Sequence, residues 1–81
     1  MRVEHTARIR RSLKRFPSEV QEIFYKQVAL LTRDIRHPSL RAKKYDETHG
    51  IWQARVNNSV RFYFFIMGDA YLLLNIEKHS D

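Results

Sequence analysis

The spacing of apolar residues changes once along this chain, from a helical repeat to strict alternation, and any fold it adopts must bury the two patterns against each other. From Thr6 to about Ile35 the repeat is helical. Thr6 is placed to cap a first short helix carrying Ala7, Ile9, Leu13 and Phe16 toward one side, and Pro17 closes it. Ser18 as N-cap, with Glu19 and Glu22 in the first turn, opens a second helix with a buried stripe of Val20, Ile23, Phe24, Gln27, Leu31 and Ile35. That helix ends before His37-Pro38, because the residue preceding a proline is pushed out of the helical region.

Downstream the period is two. Trp52, Ala54 and Val56, then Val60, Phe62, Phe64 and Ile66, then Leu72, Leu74 and Ile76 occupy even positions of three successive runs, which predicts three strands with one surface toward the core. Asn57-Asn58-Ser59 and Gly68-Asp69 supply turns, so the runs form an antiparallel meander. Arg2 to His5 reads as a short strand joining the sheet, and Leu40 to Tyr45 as a further strand or an extended loop. The expected class is α+β: an N-terminal helical hairpin packed on one face of a small, mainly antiparallel, twisted β-sheet.

With 81 residues the chain is expected to form a single domain, 1–81, since neither half has enough core to fold alone. It has no cysteine, which removes disulfides and thiolate zinc sites as sources of stability. His5, His37 and His49 show no metal-ligand spacing, so neither a metal nor another cofactor is expected. No apolar run approaches the roughly 20 residues that span a bilayer, and the start carries no signal-peptide pattern; the chain reads as soluble and cytoplasmic, without a membrane partner. Fifteen Lys and Arg against nine Asp and Glu give a net charge of +6, which favours polyanions, nucleic acid first.

Register sharpens the location of that charge. If even residues share a face across the first hairpin, the loop needs an odd number of residues; a three-residue loop sets Val56 opposite Val60 and Arg55 opposite Arg61. Facing like charges cost a few tenths of a kcal/mol and invite an anion between them. By the same reasoning the second hairpin has an odd loop, and the other neighbour of Arg61 is Asn75 or Glu77. On this argument alone, Arg61→Gln leaves the melting temperature unchanged or raised.

Arg55 and Arg61 therefore stand as candidates for gripping a phosphate, with a solvated, salt-bridged strand face as the alternative. His79, two residues beyond Glu77, is a candidate for proton transfer, or a solvent-exposed terminal histidine. Lys43, Lys44 and Lys78 are candidates for contacting nucleic acid, with Arg41 and Tyr45 adding charge and a ring beside the first two, and Tyr63 is a candidate for stacking on a base or for packing against the second half of the chain. The Arg8, Arg10, Arg11, Lys14 and Arg15 cluster is a solvated helix face or a nucleic-acid contact.

The run Gly50-Ile51-Trp52-Gln53-Ala54-Arg55-Val56, the segment Val60-Arg61-Phe62-Tyr63-Phe64 and the ending Tyr71-Leu72-Leu73-Leu74-Asn75-Ile76-Glu77-Lys78-His79-Ser80-Asp81 resemble the RelE/ParE superfamily of toxins from type II toxin–antitoxin systems. The terminal His79-Ser80-Asp81 resembles the YafQ-like branch most. The resemblance implies a metal-independent endoribonuclease, an mRNA interferase that cuts messenger RNA on the ribosome and so inhibits translation. It implies a cognate antitoxin as partner, with operator DNA met only through the antitoxin. His79 would match the general acid or base, Arg61 the residue holding the scissile phosphate, and Arg55 a basic neighbour. An upstream histidine and an acidic partner typical of that branch have only loose counterparts in His49 and Asp69. Active relatives continue past the His-Ser-Asp with an aromatic residue, and this chain has none there. The alternative is a non-catalytic binding protein: a ParE-like gyrase inhibitor, or a decayed toxin that still binds an antitoxin.

Overall fold

The structure, a computed structural model, describes residues 1–79; Ser80 and Asp81, which carry part of the family resemblance, lie outside the described residues. Two helices, α1 (Ala7–Leu13) and α2 (Ser18–Arg33), pack on a five-stranded mixed sheet in the order β1-β5-β4-β3-β2. The strands are β1 (Arg2–His5), β2 (Lys43–Asp46), β3 (Ile51–Asn57), β4 (Val60–Met67) and β5 (Ala70–Lys78), and a short 3₁₀ turn at Pro38–Leu40 leads into β2. β1 pairs with β5 in parallel, and the remaining pairs are antiparallel. No described helix is long and apolar enough to cross a membrane.

The helix starts show how local chemistry sets the elements. Thr6 Oγ1 accepts from the Ile9 N–H at 3.2 Å, and the same hydroxyl donates to the Leu73 carbonyl at 2.9 Å, so one residue caps α1 and fastens it to β5. Ser18 is not the cap of α2: it is the first helical residue, and Pro17 precedes it without a side-chain cap bond. The first turn is secured differently, with Gln21 Nε2 donating to the Phe16 carbonyl at 2.9 Å. In α2 the buried positions are Phe24, Gln27, Val28 and Leu31; Ile23 is exposed, and Ile35 packs on the core from beyond the helix end.

Ile9, Leu13, Phe24, Val28 and Leu31 from the helices meet Ala54, Val56, Val60, Phe62, Phe64, Tyr71, Leu73 and Ile76 from the sheet in one cluster. Burial at roughly 25 cal/mol per Å² of apolar surface must stabilise the fold alone, since the chain has no disulfide. Phe24 is the junction: its ring meets Phe62 edge-on at 5.3 Å, and His5 and Tyr25 flank it at 6.5 and 5.3 Å. Among the buried side chains, Gln27 is polar, and its Nε2 donates to the carbonyls of Arg55 (2.9 Å) and Ser39 (3.2 Å). Glutamine is tolerated in an apolar stripe because its buried amide is satisfied by two backbone carbonyls.

Both hairpins depart from the expected odd loops. Asn57 pairs with Val60 across a two-residue turn, and a β-bulge between Arg55 and Asn57 restores parity, so Arg55 still faces Arg61. Met67 likewise pairs with Ala70 around Gly68 (φ +60°) and Asp69, and a second bulge falls between Tyr63 and Phe64 on β4, where Leu74 is the extra residue of β5. That bulge inverts the facing of β5 partway along. Before it the odd residues Tyr71 and Leu73 are buried; after it Ile76 is buried. Leu72 and Leu74 are therefore only partly covered, against the expectation that they belong to the core surface, and Ile66 is 45% exposed beyond the reach of the helices.

His5 holds the fold's one orphan among the described side chains: its Nε2 is buried without a hydrogen-bond partner. Desolvation first, and Arg10 second, push the imidazole below its ordinary value of 6.5. The fold prefers the neutral ring, so this contribution is full above the unfolded value and is lost as pH falls from about 6.5 through the lower folded value. The melting temperature is expected to fall between pH 7.5 and 5, and His5→Phe should flatten that slope; an unchanged slope in the variant would assign it to other groups.

Candidate functional site

One face of the sheet is built by the odd residues of β3 and β4 and, after the bulge, by Asn75 and Glu77 of β5, with Ser12 of α1 reaching Asn75 at 2.8 Å. Across three adjacent strands the register runs Arg55, Arg61, Glu77. The facing arginine pair expected from the alternation is present. The choice between Asn75 and Glu77 falls to Glu77, while Asn75 stands opposite Tyr63. No ion pair joins Arg61 to Glu77: among the described residues the salt bridges are Arg2–Glu4, Arg2–Asp69 and His49–Asp46.

Both guanidinium groups lean on the β3–β4 turn instead. Arg61 Nη1 donates to the carbonyls of Asn57 (2.5 Å) and Val60 (3.1 Å), and Arg55 Nη2 donates to Asn58 Oδ1. Two cations thus sit at one hairpin end, and among the described residues no carboxylate is in ion-pair contact with either. Each arginine has five N–H donors and uses one nitrogen on the turn, so donors remain for a phosphate. The His79 N–H donates to the Ser59 carbonyl at 2.6 Å, which ties the end of β5 to the same turn. His79 is exposed, and the described residues bring Arg55, Arg61 and His79 to a common end of the sheet.

The other candidates divide between the two faces. Tyr63 lies on the arginine side, its ring edge-on to Tyr45 at 5.0 Å and its hydroxyl accepting from Gln53 Nε2 at 3.2 Å. Tyr45 is 61% exposed, so one ring of the pair is open to a ligand. Lys43 pairs with Gln53 on that same side. Lys44 does not share it: it stands opposite Trp52 with its ammonium 5.5 Å from the indole centroid, a cation–π contact near the helices. Lys78 pairs with Val60 and lines a cleft between α1 and β5, away from Arg61.

Asp69 belongs to the far end, where it binds Arg2 at 3.1 Å. Six residues of extended strand, about 20 Å, separate that turn from Arg61. His49 pairs with Asp46 rather than Asp69: Nδ1 lies 2.8 Å from Asp46 Oδ2, and this hydrogen bond holds the Asp46 carboxyl below its ordinary range. The signal for that pair was the Asp-x-x-His spacing within one turn, and for the anchor on Arg55 it was the amide of Gln27 inside an apolar stripe. Among the described residues no group of three or more His, Cys, Asp or Glu is poised to hold a metal ion.

No protein-family model and no curated protein matches the chain. Solved structures do. A YoeB/ParE toxin from Agrobacterium tumefaciens superposes with a TM-score of 0.81 at 14% identity, covering 99% of this chain and 100% of that one. The YoeB dimer from Staphylococcus aureus gives 0.82 at 10% identity, covering 99% and 98%. A chain of the toxin-antitoxin complex RelBE2 from Mycobacterium tuberculosis gives 0.79 at 21% identity, covering 99% and 92%. At such identities the likeness is one of architecture: along its described length this chain has the fold of the RelE, YoeB and ParE toxins.

Proposed function

We propose that the protein is the toxin of a type II toxin–antitoxin system of the RelE/ParE superfamily, nearest the YafQ-like branch, and that it cleaves messenger RNA on the ribosome. The observation that carries this reading is the Arg55–Arg61 pair at the hairpin end to which the His79 backbone is bonded. The fold likeness supports it, as do solved relatives that are toxin–antitoxin complexes. The partners are a cognate antitoxin, through which operator DNA is met, and the ribosome with its message.

The reaction uses the nucleotide's own 2′-hydroxyl. A base removes its proton, the 2′-oxygen bonds to the adjacent phosphorus, the bond to the 5′-oxygen breaks, and an acid protonates that oxygen. The products are a cyclic phosphate and a 5′-hydroxyl. Arg61 and Arg55 steady the charge that builds on the phosphoryl oxygens, and the His79 imidazole donates or accepts the proton. Because the nucleophile lies within the substrate, the chemistry requires no metal. Lys43 and the Tyr45–Tyr63 pair receive the flanking nucleotides; Lys44 and Lys78 contribute charge from the edges.

His79→Ala should lower cleavage about 10²–10⁴-fold while leaving the melting temperature in place, as an exposed proton-transfer residue would. Primer extension on transcripts after induction should show cuts within translated regions for the parent and none for the variant. Intact messages accompanied by DNA-damage signalling would instead select the second reading, a binding protein that inhibits gyrase. The engagement of both arginines by the turn favours that reading, since a turn staple needs no substrate.

A further inference from the structure

Arg55 faces Arg61 only because β3 carries an extra residue. The β3–β4 turn has two residues, so regular pairing onward from Asn57 and Val60 would set Val56 opposite Arg61 and Arg55 opposite Phe62, which is buried in the core. Directly opposite residues share a face, and the two guanidinium groups would then leave opposite sides of the sheet. The bulge at Val56 removes this conflict and restores the arginine pair. A bulge also interrupts the ladder, so the backbone around it looks outside the strand pair for partners. β2 accompanies β3 only to Gln53, opposite Lys43, and among the described residues no residue of β2 pairs with Arg55. A donor comes from the helix layer. Gln27 Nε2 reaches the Arg55 carbonyl at 2.9 Å and the carbonyl of Ser39, in the 3₁₀ turn, at 3.2 Å. Gln27 is 6% exposed, and its buried neighbours on α2, Phe24, Val28 and Leu31, are all apolar.

We infer that Gln27 is a positioning residue for the phosphate grip: by holding the Arg55 carbonyl it pins the backbone where the bulge begins and keeps the Arg55 side chain opposite Arg61. That role rests on the reading of the arginine pair as the phosphate-binding element of a nuclease. Packing alone does not ask for an amide here, since an unbranched apolar side chain of the same length fills the stripe with no polar atom to satisfy. What the amide adds is direction, because a hydrogen bond weakens steeply with angle and apolar contact does not. The two ends of the bulge are held separately. Gln27 bonds the Arg55 carbonyl from α2, and Arg61 Nη1 bonds the carbonyls of Asn57 and Val60. Val56 alone lies between these holds, so the extra residue cannot migrate along β3 without breaking one of them.

The test is a double-mutant cycle on the full chain, reading the initial rate at which a ribosome-bound message is cut. Gln27→Met keeps the length of the side chain and removes the donor. It should cut about 10–100-fold more slowly, the loss expected when a reacting group is misplaced by about 1 Å. In an Arg55→Gln background the same substitution should cost less than about twofold, because a residue acting through Arg55 has nothing left to position. Val28→Ala, another buried change on α2, should cut as the parent does wherever it is folded. Amide exchange in Gln27→Met should quicken about tenfold more at residues 55–57 than at residues 62–64 in the middle of β4, a readout that needs no RNA. Should Gln27→Met not fold, Gln27→Asn, one methylene short of both carbonyls, carries the same expectations. Parental cutting by Gln27→Met, losses that multiply in the double variant, or exchange at 55–57 that follows 62–64 overturns the inference. A parent chain that cuts no message sinks the nuclease reading, and exchange quickened selectively at 55–57 then still supports the hold of Gln27 on the bulge.

Discussion

Arg61→Gln is expected to lower RNA cleavage by about 10²–10³-fold, the usual loss when one donor to a developing oxyanion is removed. Glutamine keeps a neutral donor but loses the charge and the fork that holds a phosphate at two oxygens. Stability should fall too, by about 1 kcal/mol. The strand pairing alone implies a neutral or stabilising change, through relief of repulsion with Arg55 worth a few tenths of a kcal/mol. The structure adds a larger opposing effect: Arg61 Nη1 serves the carbonyls of Asn57 and Val60, and charge-assisted bonds of this kind are worth more than the repulsion. A drop of about 4–8 °C in melting temperature corresponds to that loss in a domain this small. Cleavage that survives the substitution would remove Arg61 from phosphate binding. A loss of several kcal/mol would make it a structural staple first.

The largest stability effect is expected from Phe24→Ala. Phe24 is fully buried and joins α2 to the sheet through its edge-on contact with Phe62. Deleting a buried phenyl ring costs about 3–5 kcal/mol, through lost transfer energy and the cavity left behind. A chain of 81 residues has only about 4–12 kcal/mol in total. The urea midpoint should therefore fall by about 2 M or more, and a fraction of the variant should be unfolded at 37 °C. Gln27, one helical turn further along, would lose its hold on the Arg55 carbonyl as α2 loosens, so cleavage should decline with the folded fraction. A cost below about 1 kcal/mol would show that the helix layer is held by other contacts.

Much of the candidate site could be read before any coordinates. Alternation in Trp52 to Val56 and Val60 to Phe64 set Arg55 and Arg61 on one surface and opposite each other, because a strand's side chains change face at every residue. The route to that pairing was different: the odd loop is a two-residue turn with a bulge at Val56. Parity constrains only the sum of loop and bulge, so the sequence pattern is blind to how the extra residue is divided. For β5 the pattern misled. Leu72, Leu73 and Leu74 are all apolar, so any of them satisfies a core position, and the bulge that brings Tyr71 and Leu73 inward is decided by pairing with Phe64 and Ile66 on a neighbouring strand.

By itself the sequence determined what neighbours along the chain can enforce: two helices, a meander, the basic balance, and the facing arginines. Tertiary structure alone decided the parallel placement of β1, which among the described residues leaves the outer margin of β5 unpaired by a strand from Asn75, and the bulge that sets Glu77 rather than Asn75 beside Arg61. The physical reason is range. Periodicity records which face a residue turns relative to its own strand or helix, whereas the partner strand, the bulge and the cleft are fixed by packing among segments up to 70 residues apart, as in Arg2 against Ala70.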